Sequence, residues 1–193
     1  YAAGALSRAE LFELVCARAH AMHNEPQVDS EVGKMLAVVG DNAEAVRPEA
    51  ESVWLANCNS PSQVVLTGTE RGIAEDQKRL AAAGFKTVYL NTGGAFHSPR
   101  MAPAERVFNQ RLAAAKIQPI AHGAPRAYAN VTGAAYPTGD AEAVRKSLAK
   151  QMTSSVQFTS EIRAMHRDGA RIFVEFGPKN VLSKLISQIL ADD

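Results

Sequence analysis

The hydrophobic period of the chain changes at residue 34, and that change constrains the fold more than any other feature. Before it, Leu11, Leu14, Val15, Arg18 and Met22 recur at helical spacing. Ser7, with Glu10 three residues on, reads as a capping box for a helix over 11–22 that ends near His23-Asn24-Glu25-Pro26. A polar connector over 26–30 follows. From 34 onward the apolar runs shorten to strand length. Residues 34–40 (KMLAVVG) read as a buried strand, 42–50 as a short helix capped by Asp41, and 53–57 as a strand. Ser60-Pro61-Ser62 is a turn and 63–67 a strand. A helix over 70–83 stops at Gly84 in the left-handed cap position, and 85–90 is a further strand. The order β-α-β-β-α-β is the ferredoxin-like split βαβ arrangement, and it predicts a small subdomain over 31–92.

The remainder returns to an α/β rhythm. Helices are predicted over 103–116, 140–152, 158–167 and 180–190. Strands are predicted over 126–130, before the turn Val131-Thr132-Gly133, and over 171–176 (RIFVEF). Strands alternating with helices argue for a parallel sheet covered on both faces. Residues 1–30 and 93–193 would then form one larger α/β subdomain, with 31–92 inserted into it. The Ala-rich opening, Tyr1 to Leu6, looks like the tail of an element that begins upstream.

Charge and composition narrow the function classes. The 193 residues carry 21 Lys+Arg against 20 Asp+Glu, a formal charge of +1, so no electrostatic pull toward nucleic acid or a membrane surface is expected. There is no apolar run of membrane-spanning length. The two cysteines, Cys16 and Cys58, read as reduced core thiols of a cytoplasmic protein.

The most chemically suggestive segment is Asn91-Thr92-Gly93-Gly94-Ala95-Phe96-His97-Ser98-Pro99. A histidine after a strand end and a glycine pair sits where backbone freedom and exposure meet, as a general base requires. Four other segments accompany it: Ala56-Asn57-Cys58-Asn59-Ser60-Pro61-Ser62-Gln63-Val64-Val65, Asn130-Val131-Thr132-Gly133, Val156-Gln157-Phe158 and Glu175-Phe176-Gly177-Pro178. Taken in order, the series resembles the family of malonyl-CoA:acyl-carrier-protein transacylases and the acyltransferase domains of polyketide and polyunsaturated-fatty-acid synthases.

That resemblance implies an α/β-hydrolase-like large subdomain with a ferredoxin-like small subdomain inserted. It implies a nucleophilic Ser on a G-H-S-x-G elbow, which would fall about eight residues or a few more before Tyr1. No G-x-S-x-G occurs in these residues, and Ser98 is not that nucleophile. His97 matches the family's general acid/base, with its ring oriented by a backbone carbonyl expected at Gln157. Arg18 matches the arginine that binds the free carboxylate of a malonyl group. On the residues alone, an arginine on an apolar helix face must either find an anion or extend its head to water. Phe96 stands where family members differ with the acyl group they select, and Ala-Phe-His resembles the malonyl-selective form. Gly94 departs from the His common at that point in modular polyketide synthases, which leans toward an iterative polyketide or polyunsaturated-fatty-acid type.

The implied substrate is a CoA thioester, malonyl-CoA. The implied partner is an acyl carrier protein bearing phosphopantetheine, with a ketosynthase domain as neighbour. No tightly bound cofactor or metal is implied: His20 and His23 share a helix face, but no further ligand stands at metal-binding spacing. His122 and His166 read as surface residues, and Asn57, Asn59 and Gln63 as organisers of a turn. Two alternatives stay open, a serine acyl hydrolase and a catalytically incomplete docking or scaffold piece of a synthase.

Overall fold

Strand β1 (Lys34–Val39) is the centre of the molecule's main sheet because its side chains are apolar on both faces of the pleat. The computed structural model describes residues 1–25, 27–28 and 31–191. β2 (Val53–Ser60) and β3 (Gln63–Gly68) form a hairpin closed at Pro61-Ser62. Helix α2 (Glu70–Ala82) and strand β4 (Lys86–Tyr89) follow. The sheet order is β2-β3-β1-β4 with every pair antiparallel. β1 therefore lies between two strands that come later in sequence, as the split arrangement requires.

Alternation sorts the strands into two cores. Leu36, Val38, Val64 and Leu66 face α2 and pack with Ile73 and Leu80. Met35, Ala37, Ala56 and Val65 face the other way and pack with Leu90 and Phe96. The second face thus meets the loop that carries His97. Thr69 caps α2, its Oγ1 accepting from the Gly72 N–H, and Gly84 at φ 91 lets the chain leave the helix.

The helix expected at 42–50 is absent. Only a 3₁₀ turn, Ala43–Ala45, forms there. Asp41 is not its cap: that position is taken by Asn42 at φ 57, with no side-chain capping bond. Pro48 is the physical reason, since it biases Arg47 away from helical backbone and has no N–H to continue the ladder.

Helix α1 (Arg8–Asn24) begins as expected, with Ser7 Oγ accepting from the Glu10 N–H at 3.2 Å. The reciprocal half of the capping box is missing, because the Glu10 carboxylate accepts from the Lys116 N–H at 2.7 Å. The buried face of α1 is Leu14 and Ala21. Leu11, Phe12 and Val15 stay exposed, so apolar spacing alone misjudged which side packs. α1 lies against α3 (Ala102–Ala114) over a helical core that includes Met101, Phe108, Leu112 and Met152. Of the connector expected at 26–30, residues 26, 29 and 30 lie outside the described residues.

Strands β5 (Tyr128–Ala129) and β6 (Ala134–Ala135) make a small hairpin where one strand over 126–130 was expected. Helix α4 (Ala141–Lys150) is capped by Asp140, whose Oδ1 accepts from the Ala143 N–H at 2.9 Å. Helix α5 (Phe158–Arg167) has the bounds read from the sequence. Helix α6 (Val181–Ile189) is capped from a distance by the Glu175 carboxylate, which accepts from the N–H groups of Leu182 and Ser183.

The expected strand 171–176 does not form, and Ile172, Val174 and Phe176 are 85%, 69% and 94% exposed. A strand exists only by pairing, and among the described residues this segment pairs with no strand. The expected parallel sheet is represented among the described residues by one parallel bridge, Asn57 to Val156. No helix among the described residues is long and apolar enough to cross a membrane.

The side chain of Glu161 on α5 is buried, and burial pushes its carboxyl pKa up. A raised folded-state pKa favours folding fully below the ordinary Glu pKa, and that contribution is lost as pH rises through the folded value. In the complete protein, Glu161→Gln is expected to raise the melting temperature at pH 8 by about 2–4 °C, the shift that about 1 kcal/mol gives a domain of about 150–250 residues. The difference vanishes near pH ~4, where both forms are neutral. Thermal melts at the two pH values check this, and a lower melting temperature for the variant at pH 8 would refute it.

Candidate active site

The segment after β4 is built to present one imidazole. The Leu90 N–H donates to the Met35 carbonyl at 2.9 Å, the last tie to the sheet. Ala95 is fully buried and Phe96 half-buried. His97 has φ 59, a left-handed backbone that non-glycine residues adopt at a cost and that clusters at functional sites. Ser98 is buried and wholly employed in structure: its Oγ donates to the Ala95 carbonyl at 2.6 Å and accepts from the Arg100 N–H at 3.3 Å. It caps the 3₁₀ turn Pro99–Met101 that leads into α3.

His97 Nδ1 lies 3.0 Å from the Gln151 carbonyl oxygen. A carbonyl only accepts, so Nδ1 carries the proton and Nε2 is left with a free lone pair. The orienting carbonyl is thus Gln151's, and the expectation of Gln157 is corrected. The Gln157 backbone is committed elsewhere: its N–H donates to the Asn130 carbonyl at 2.8 Å and its own carbonyl accepts from the Glu161 N–H at 2.9 Å, starting α5. Gln151 is available because α4 ends at Lys150, two residues earlier than the sequence suggested, and a helix C-terminus leaves its last carbonyls without intrahelical partners. That surplus of carbonyls is the one sequence signal that could have pointed here.

Burial lowers the His97 pKa below the ordinary histidine value; the Gln151 carbonyl opposes, the Arg18 charge pushes the same way as burial, and a Ser154 backbone bond opposes. The ring is therefore held neutral near physiological pH, the state a base needs. The same electrostatics bring Arg18 and His97 into one neighbourhood. Arg18 is half-buried on α1, its Nε is buried without a hydrogen-bond partner, and no acid pairs with it among the described residues. Burial lowers its pKa as well. A desolvated guanidinium without a counter-ion is a receptor for an anionic group. Phe96, next to His97, packs against both the helical core and the sheet-face cluster.

The structure thus gathers His97, Phe96 and Arg18 and leaves Gln157 out. Of the other histidines, His166 is half-buried on α5 rather than at the surface as the sequence suggested. His20 and His23 are exposed, and His122 pairs with Thr138. No group of three metal-ligating side chains occurs among the described residues. Asn59 Nδ2 donates to Gln63 Oε1 at 3.4 Å across the β2–β3 turn, the organising role expected of that pair. A groove of about 520 Å³ between α1 and α3, lined by Leu14, Ala21, Val107 and Arg111 among others, includes neither His97 nor Arg18. Volume does not mark the site here; side-chain chemistry does.

Comparison with known proteins shows the family to which this fold belongs. The chain is 45% identical over its whole length to a polyunsaturated fatty acid synthase polypeptide of Thraustochytrium sp., of which it spans 7%. It is 31% identical over 97% of its length to the malonyl CoA-acyl carrier protein transacylase of Bacillus subtilis, of which it spans 60%. Among solved structures, 98% of the chain superposes on the acyltransferase domain from the second module of the salinomycin polyketide synthase with a TM-score of 0.84 and 31% identity, covering 43% of that chain. The malonyl CoA-acyl carrier protein transacylase from Clostridium perfringens gives a TM-score of 0.87 at 25% identity, with 98% and 60% of the two chains covered. The α/β fold class read from the sequence is that of these neighbours. Residues 1–192 match the family described as the acyl transferase domain, and the chain belongs to that family.

Proposed function

We propose that the protein containing this chain moves a malonyl group from CoA to the phosphopantetheine thiol of an acyl carrier protein through a serine ester. In this reading the nucleophile lies outside these 193 residues, which hold no G-x-S-x-G, and the chain alone is inactive. His97 Nε2 takes the proton of the serine hydroxyl as its oxygen attacks the thioester carbonyl. The tetrahedral adduct collapses, the C–S bond breaks, and the imidazolium returns the proton to the CoA thiolate. In the second half, Nε2 takes the proton of the carrier thiol as sulfur attacks the ester, and gives it to the departing serine oxygen. Arg18 holds the malonate carboxylate in a bidentate pair, which a lysine cannot reproduce. Phe96 fills the space that a branched acyl group would need.

The observation that carries the reading is the His97 imidazole with Nδ1 3.0 Å from the Gln151 carbonyl oxygen, within electrostatic reach of the half-buried Arg18 guanidinium, which has no counter-ion among the described residues. No tightly bound cofactor is called for, since both half-reactions are proton and acyl transfers between side chains and thiols. Residues 31–92 act as the small subdomain and 1–30 with 93–193 as part of the large one. A neighbouring ketosynthase domain and a cytoplasmic setting complete the picture.

Acid-quenched mass spectrometry of the complete protein tests it. With malonyl-CoA alone a malonyl-enzyme ester accumulates, and on adding holo carrier protein the label passes to its thiol. Free malonate as the main product, with carrier protein present, would identify a hydrolase instead.

A further inference from the structure

Gln27 has no part in the chemistry above, yet its side chain reaches the loop that carries the base. It follows α1 in the connector to β1. Its Oε1 accepts from the Ala95 N–H at 2.9 Å, and its Nε2 donates to the Gly93 carbonyl at 3.4 Å. The two bonds bracket Gly94. A Cβ at residue 94 would lie 2.5 Å from Gln27 Nε2. Gly94 is not among the residues at positive φ, so what a side chain there would meet is a limit of room rather than of handedness, set by the end of the Gln27 side chain. The amide of Gln27 occupies the space that a side chain at 94 would claim.

Two further contacts join the same pair of segments. A Cβ on Gly33 would come within 2.3 Å of Ala95 Cβ, so these backbones are in close approach. Arg100 Nη2 donates to the Glu31 carbonyl at 2.9 Å. The Phe96-His97 turn is therefore held on both flanks, by Gln27 on one side and by Glu31 and Gly33 through Arg100 and Ala95 on the other. A left-handed histidine persists only where its surroundings over-determine the backbone, and the contacts of Gln27, Glu31 and Gly33 supply that constraint.

We infer that Gln27 is a positioning residue for the acid/base: by fixing the Gly93–Ala95 backbone it delivers the His97 ring to the Gln151 carbonyl and to the neighbourhood of Arg18. The inference rests on the reading of His97 as the acid/base.

The experiment uses the complete protein, with rates expressed per active site titrated so that loss of folded material does not enter. Gln27→Ala is expected to lower kcat for malonyl transfer about 10- to 100-fold, the scale of an ångström-sized misplacement, with KM for malonyl-CoA changed by less than about twofold. The acid limb of the rate profile moves to higher pH as the ring gains water. Gly94→Ala, which drives a methyl into the Gln27 amide, lowers kcat as well. The double variant is no worse than Gln27→Ala alone, because the methyl then has room. An unchanged kcat and acid limb in Gln27→Ala, or fully additive losses in the double variant, would overturn the assignment. His97→Ala separates the two readings. If it leaves transfer intact, the acid/base role itself fails; if it abolishes transfer while Gln27→Ala changes nothing, only the role of Gln27 falls.

Discussion

Replacing His97 with alanine in the complete protein is expected to lower acyl transfer by about 10²- to 10⁴-fold in kcat, the usual contribution of a positioned general acid/base. Both half-reactions should suffer, because the same Nε2 accepts and returns a proton in each. KM for the CoA ester should change little, since the imidazole binds protons rather than the acyl group. Single-turnover quench experiments measure the two steps separately, one with malonyl-CoA and one with preloaded enzyme and carrier protein. The wild-type rate should rise with pH and level off above the lowered His97 pKa, because only the neutral ring is a base. The alanine variant should lose that dependence. A residual rate within about tenfold of wild type would place the base elsewhere.

The second large effect belongs to Arg18. Removing one partner of a desolvated charge pair costs about 2–5 kcal/mol, so Arg18→Ala is expected to slow malonyl loading roughly 30- to 4,000-fold. Acetyl loading, which offers no carboxylate, should change far less. Comparing the two acyl-CoAs on the same variant isolates the clamp from any general disturbance of the site, and an equal loss for both would remove the assignment. Arg18→Lys should recover only part of the malonyl rate, since an ammonium cannot form the parallel pair of bonds. The substitution also acts on the base. The Arg18 charge lowers the His97 pKa, so its removal should move the imidazole titration upward, a change readable by NMR. A malonyl carboxylate seated on Arg18 would have the same effect, raising the basicity of His97 when the right substrate is present.

Much of this architecture was legible because it is local. The switch from helical to strand period at residue 34, the cap residues Ser7 and Asp140, and the stop at Gly84 are short-range signals, and the structure follows them. The misreadings have other origins. At 171–176 the alternation is that of a strand, but pairing is a long-range event that the segment cannot encode alone. At 42–50 the opposing signal is local, Pro48 inside the expected helix. The carbonyl that orients His97 has no side-chain signature: every residue has one, and where α4 ends determines that Gln151's is free. Arg18 and His97 lie 79 positions apart in sequence. No periodicity links them, and only the resemblance to a known family joined them before the fold did.

The left-handed backbone at His97 carries a consequence for how such a protein can change. Tension at that residue and aim of its ring are one property, so mutations that let the turn relax would make the molecule sturdier and blunter together. Selection for robustness alone would erode the turn, and only continued demand for turnover keeps it taut.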